Sequence, residues 1–350
     1  MSLRKSTSGF SLIELLIAMA IGLAVLAVLG TVFSRTSSGR SDLERVTRLV
    51  ENSRFAAEII GEDVRHAGFY GALLPPSDVV YDDPSPCGWN TADVTALGWR
   101  PGDTPPRYPA PLQGWNDPAA GVVDLGCLPD RVPGTDVLVI RRVSSMDTPF
   151  AAVANTNVFV QASQCVSDPA SVRVSNNGAQ FTLRTSTCGA DLAVIRRYIV
   201  RAYYVASCND CGNPNDLTDG DGIPTLKRVE NVNSGYQVTA LAEGVQNLQF
   251  EYAFDTNTNG VAGTVPDGMP EEMSTTNTLA GPTVTSWANV VGVRMHVLMR
   301  SSEPGLTADT TPTTFDLGPG HAAVTCPDRF RCRLLTTTFR LNNVAGRREK

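Results

Sequence analysis

Only three histidines, His66, His296 and His321, occur in the 350 residues, so a histidine-based metal centre or acid–base site has few groups to draw on. Basic charge is also scarce, with 29 Lys and Arg against 35 Asp and Glu, a formal net charge of -6. No stretch concentrates enough of it to hold a phosphate backbone, so nucleic-acid binding is not expected. The chain has no G-x-S-x-G, no H-E-x-x-H, no P-loop and no G-x-G-x-x-G after a strand, which removes the common frames for hydrolysis and nucleotide chemistry. Enzymatic activity is therefore not expected. Apolar residues make up 42%, which excludes whole-chain disorder and suffices for one large or two ordinary domains.

One long apolar run is present, over residues 10–34, and its single ionisable side chain is Glu14. Its length suffices to cross the hydrocarbon core of a bilayer as a helix. Arg4 and Lys5 before it favour a cytoplasmic N-terminus, although Arg35 and Arg40 beyond it oppose that bias. A secretory signal would end in a small-x-small cleavage site, and Ser34-Arg35-Thr36-Ser37 matches poorly. A carboxylate in hydrocarbon costs several kcal/mol, so Glu14 calls for a partner.

Gly9-Phe10-Ser11-Leu12-Ile13-Glu14, after a short basic leader and before the apolar run, resembles the class III signal of type IV pilins and pseudopilins. The resemblance implies that prepilin peptidase cuts between Gly9 and Phe10, that Phe10 becomes N-methylphenylalanine, and that Glu14 pairs with the terminal amine of a neighbouring subunit. Such a pair supplies the missing counter-charge, since two mutually neutralised groups tolerate hydrocarbon better than one. A plain anchor helix would leave the Gly-Phe spacing to Glu14 unexplained.

Beyond the run, Leu43, Val46, Val50, Ala57, Ile60 and Val64 recur at three-to-four-residue spacing, broken near Ser53, and predict an amphipathic helix continuous with the apolar one. It ends near Gly68 and Gly71. Asn52, Arg54, Phe55 and Ala56, then Arg65, Ala67, Gly68, Phe69 and Gly71, resemble the segment after the anchor in PilW-like minor pilins.

Residues 72–133 are rich in Pro, Gly and Asp and carry Trp89, Trp99 and Trp115 without a sustained period, which reads as an irregular insertion. Its tryptophans either plug a small core or bind a surface or glycan. All eight cysteines lie beyond residue 86, among turn-forming residues, and imply an oxidising compartment. The pairing expected is between sequence neighbours: Cys87 with Cys127, Cys165 with Cys188, Cys208 with Cys211 and Cys326 with Cys332, although spacing leaves the connectivity open. Cys208-Asn-Asp-Cys211 could also be a redox pair or half a zinc site. Gly212 and Pro214 argue against the helix that a redox centre needs, and no second C-x-x-C is present.

Strands dominate from there: residues 137–141, 194–205, 248–254, 291–299 and about 334–341, separated by turns and loops rather than crossover helices. Alternation in the fourth puts Arg294, His296 and Arg300 on its polar face, and His66 on the stalk and His296 there read as solvated or interface residues rather than ligands. The fold class expected is α+β, a long N-terminal helix on a mainly antiparallel, β-rich head. Residues 242–252, 290–301 and 333–343 resemble strands of PilW-like proteins and occur in the same order. The organisation expected is a leader (1–9), an apolar helix (10–34), a stalk (35–71), the insertion (72–133), the head (134–345) and a basic tail (346–350).

Asp255, Asn257 and Asn259, with Gly260 next, stand like the first, third, fifth and sixth positions of a calcium loop. Pro266 replaces the bidentate Glu, so Asp267 or Glu271 would have to substitute; the alternative is a polar β-turn. No other cofactor is expected. The resemblance implies a minor pilin of the priming or tip complex, in the inner membrane with a periplasmic head and then in the pilus. Its partners would be prepilin peptidase, other minor and major pilins and the inner-membrane assembly machinery, and its setting twitching motility. The alternatives are a type II secretion minor pseudopilin, a tip adhesin, or a tethered thiol oxidoreductase.

Overall fold

The computed structural model describes residues 11–75, 79–116, 125–212, 220–256, 267–275, 287–305 and 312–349. It divides into two compact units, Met1–Arg48 and Leu49–Lys350. One helix, α1 (Leu12–His66), supplies the described structure of the first unit and opens the second. In chain order there follow β1 (Val80–Asp82), β2 (Arg107–Pro109), β3 (Leu112–Trp115), β4 (Val137–Val143), β5 (Phe159–Ala162), β6 (Val172–Ser175) and β7 (Ile195–Ala206). Then come β8 (Thr225–Val232), β9 (Gly235–Glu243), β10 (Val245–Phe254), β11 (Glu272–Ser274), β12 (Val290–Arg300), β13 (Thr314–Phe315), β14 (Val324–Thr325), β15 (Cys332–Arg340) and α2 (Asn342–Ala345).

Among the described residues, β3 to β9 form a seven-stranded sheet centred on β7. β4 pairs with Tyr198–Tyr203, β5 with Ile195–Arg197 and β8 with Arg201–Ala206, all antiparallel. A four-stranded antiparallel sheet has the order β11-β10-β12-β15. The one parallel pair described is β1 with β2. The head is thus mainly antiparallel, as hairpins and short loops require.

Alternation along β4 and β7 serves two cores, because both faces of the large sheet are covered. Leu138, Ile140, Tyr203 and Val205 join α1 residues Leu49, Ala56, Ile60, Val64 and Ala67 and the inner face of the small sheet in one cluster. Val137, Val139, Tyr198, Val200 and Tyr204 face a second cluster with Tyr70, Leu97, Trp99 and Tyr108. Much of residues 72–133, which the sequence presents as an irregular excursion, is therefore the lid of a core. Trp99 is fully buried, with its ring 5.1 Å from Tyr70, 5.5 Å from Tyr108 and 5.6 Å from Tyr198. The edge-to-face contacts with Tyr70 and Tyr198 add about 0.5–1.5 kcal/mol each beyond simple burial. Trp99 is a plug of this core; Trp89 and Trp115 are half-buried against it.

The stalk stripe differs from the one read from spacing. Leu49, Ser53, Ala56, Ile60, Val64 and Ala67 are buried, whereas Leu43 and Val46 are exposed. Ser53 stays in the stripe because its hydroxyl donates to the Val50 carbonyl at 2.8 Å. Gly68, at φ +71°, ends the helix, and its amide donates to Arg141 O at 3.0 Å. Asn343 of α2 donates to the carbonyls of Arg65 and Ala67, both at 3.3 Å, so orphaned groups at the helix end find partners.

Candidate functional site

Of the residues singled out at the N-terminus, Gly9 and Phe10 lie outside the described residues. The helix begins just after Ser11, whose main-chain N–H donates to Glu14 Oε2 at 2.9 Å. That is half of a capping box: the first turn has amides without intrahelical acceptors, and a carboxylate three positions in reaches back to one of them. The positive end of the helix adds to the attraction. Leu12–Phe33, 22 residues, is long and apolar enough to cross a membrane, and none of it is buried. Leu12 and Phe33 are each 77% exposed. A surface of this kind demands lipid or other apolar helices around it.

Within the second unit, a buried charge network fastens α1 to the large sheet. Asp63, 2% exposed, receives Arg201 Nη1 at 2.9 Å on both carboxylate oxygens and Arg142 Nη2 at 3.2 Å, and also the Tyr203 hydroxyl. Arg201 Nε and Arg197 Nη2 continue to Glu230, each at 2.7 Å. Burial alone raises the Asp63 pKa, but the Arg201 charge, the hydrogen bonds from Tyr203 and Arg201 and the Arg142 charge outweigh it, and the group ends below its ordinary value. Glu230 is likewise lowered, burial being outweighed by Arg197 and Arg201. Nothing in the sequence reading singled out this network. Its one signal was a carboxylate on the apolar stripe between Ile60 and Val64.

His296 is not solvated. It is 7% exposed and sits 2.7 Å from Glu251 through Nε2 and 3.0 Å from the Thr336 hydroxyl through Nδ1. Leu317 is buried, and a Cβ at Gly318, φ +108°, would stand 3.1 Å from Glu251 Oε1 and 3.2 Å from His296 Nε2. The Leu317–Gly318 segment thus covers the polar face of the small sheet. His66 stays exposed, its Nδ1 2.8 Å from the Glu62 carbonyl, and the alternating residues of β10 are buried on both faces.

The disulfides are Cys87–Cys127, Cys165–Cys188, Cys208–Cys211 and Cys326–Cys332, and no cysteine is free. Each closes a local loop. The Cys165–Cys188 loop is further held by Asp168, which receives the Arg184 main-chain N–H and guanidinium, both at 2.7 Å. The Tyr236 hydroxyl on β9 donates to Cys87 O and so fixes the first loop to the sheet edge.

Of the calcium-loop candidates, Asn257 and Asn259 lie outside the described residues. Asp255, Asp267 and Glu271 come together with carboxylate oxygens within 4.8 Å of one another. Asp255 is 1% exposed and accepts the Gly268 N–H at 2.8 Å, with Arg348 Nη1 at 3.1 Å. Arg348, in the stretch read as a basic tail, also donates to Ala288 O at 2.9 Å and Asn289 Oδ1 at 2.7 Å.

Residues 4–30 match the Prokaryotic N-terminal methylation motif, and the methylation signal, apolar N-terminal helix and β-rich head together fit the class of the type IV pilins. Residues 202–343, from within β7 to the start of α2, match Type IV Pilus-assembly protein W. Together the two matches support a PilW-like type IV pilin. That family is a structural component of the pilus, and the methylation motif implies processing by a peptidase and contact with pilus machinery and other pilins. The signal and apolar helix fit a membrane-anchored pilin. Neither a curated protein nor a solved structure matches the chain significantly.

Proposed function

We propose that the chain is a minor pilin that takes part in assembling a type IV pilus as a priming or tip subunit. It is made as a prepilin, with its head in the periplasm and its apolar helix in the inner membrane. Prepilin peptidase cuts between Gly9 and Phe10 and methylates the new terminal amine. The observation that carries this reading is the wholly exposed Leu12–Phe33 surface with a lone carboxylate, Glu14, one turn from the cut.

In the isolated chain Glu14 is held by one main-chain amide. On entry to a helix bundle, the protonated Phe10 amine of a neighbouring subunit replaces or joins that amide. A charge-assisted contact is about twice as strong as a neutral one, and it forms in just one axial register. Glu14 thereby sets the step between subunits while the apolar residues supply non-directional attraction. The match over residues 202–343 supports the pilus over the secretion pseudopilin, and burial of Trp99 leaves an adhesin surface less to work with.

The test is a Glu14→Ala chain expressed in a strain lacking the native copy. It should be processed normally yet fail to restore piliation. Normal piliation with this variant would contradict the pairing mechanism.

A further inference from the structure

Three carboxylates meet around one buried member, Asp255, with Glu271 and Asp267 both more exposed, and they favour positive charge because each interacts unfavourably with the others at short range. Asp255 ends β10, and Asp267 and Glu271 precede β11 in the returning chain, so the two paired strands bring them together. Glu271 is set by main-chain contacts: its N–H donates to Phe254 O at 2.9 Å, and its Oε2 accepts from Thr256 N at 2.7 Å. Gly268, at φ +83°, carries the turn past α2, where a Cβ would stand 2.6 Å from Ala345 O. The described cation at the cluster is Arg348, which contacts Asp255. Arg348 reaches Asp255 on Oδ2, the same oxygen that accepts the Gly268 N–H, and leaves Oδ1 aside.

A second observation is independent of these charges. Asp255 Oδ1 and Glu271 Oε1 are sealed from solvent and have no hydrogen-bond partner. A buried carboxylate oxygen normally accepts two or three donors, and leaving it empty costs on the order of 1–3 kcal/mol or more. Two such oxygens beside a third carboxylate are the coordination chemistry of a hard divalent cation.

We propose that Asp255, Asp267 and Glu271 bind a divalent cation, and that calcium is the ion that fits. All three ligands are oxygen donors, with no nitrogen or sulfur that would favour zinc. The carboxylates come from two chain segments and are partly committed to main-chain N–H groups, which suits the irregular shell of calcium better than the strict octahedron of magnesium. The bound ion would tie the β10–β11 connection to the segment where Arg348 docks. The inference stands apart from the pilin reading and holds whether or not the chain enters a pilus.

The test is thermal unfolding of the full chain in detergent, first stripped with chelator and then titrated with calcium or magnesium to about 10 mM, which brackets weak extracellular sites. Calcium should raise the midpoint by several degrees, as binding to the folded state alone requires, and magnesium should raise it less. The Glu271→Gln chain keeps an acceptor for Thr256 but loses a charge. It should melt in chelator no lower than the native chain and should not respond to calcium. A native midpoint that does not move, or one that moves equally in Glu271→Gln, would overturn the site. An equal response to magnesium would overturn the choice of ion.

Discussion

Asp63 shows how much one side chain can settle. It sits among apolar neighbours on α1, where an unpaired charge would be intolerable, and two guanidinium groups and a phenol reach it from the sheet. Removing one partner of such a set leaves the others buried and uncompensated, so Asp63→Ala should lower stability by roughly 3–5 kcal/mol. Denaturant unfolding of the detergent-solubilised chain checks this. The pH dependence has a definite sign. The folded pKa values of Asp63 and Glu230 lie below their ordinary values, so their contribution is present at neutral pH and is lost as the pH falls below about 4 and through the folded values. An unfolding midpoint that declines with acid in the native chain, and declines less in Asp63→Asn, is the expected result.

Gly61 is the counterpart in shape. A Cβ there would stand 2.4 Å from Phe339 Cε1, so the helix meets β15 with no room for a methyl group. Gly61→Ala should cost about 1–3 kcal/mol through overpacking, outweighing alanine's better helix propensity, and the same unfolding measurement reads it. Neither contact could be read from the sequence. The partners of Asp63 are 79, 138 and 140 residues away, and Phe339 lies in the closing strand.

At the scale of elements, what repeats along the chain was legible and what closes through space was not. Hydrophobic period located α1, β4, β7, β10, β12 and β15 to within a few residues, and Gly68 marked the end of the helix. Period alone placed only part of the stalk stripe, Ala57, Ile60 and Val64, because Ser53 and Asp63 also belong to the buried face and hide it from a hydrophobicity count. The insertion looked structureless for a related reason. Its contribution is made by single side chains such as Leu97, Trp99 and Tyr108, placed by turns and by the Cys87–Cys127 bridge rather than by a repeat. Between the two readings open for His296, solvated or interface, the sequence could not choose, since its cover comes from the distant Leu317–Gly318 segment. The Cys165–Cys188 bridge closes a loop 23 residues apart in sequence, and chain entropy assigns such a loop about 3 kcal/mol. A Cys165→Ala, Cys188→Ala chain should unfold at correspondingly lower denaturant, measured beside the native chain under non-reducing conditions.

At the scale of the molecule, two units carry two different needs. Leu49–Lys350 buries its own apolar surface in a layered α+β body and pairs buried charges at Asp63, Glu230 and Glu251. The described part of Met1–Arg48 buries almost nothing, and its apolar helix looks outward all round. A chain that folds one part for itself and leaves the other for its surroundings fits a membrane-anchored pilin, and under the proposed function that outward surface passes from the membrane to a bundle of like helices. The match to the methylation motif is the observation that favours assembly over a permanent anchor for that surface.

Intact mass and N-terminal sequence of the membrane-extracted chain, expressed with and without prepilin peptidase, test this most directly. The account predicts a mature chain that begins with N-methylated Phe10 when the peptidase is present, and an uncut leader when it is absent. A chain that keeps Met1 in both cases, or one cut beyond Phe33, would contradict it.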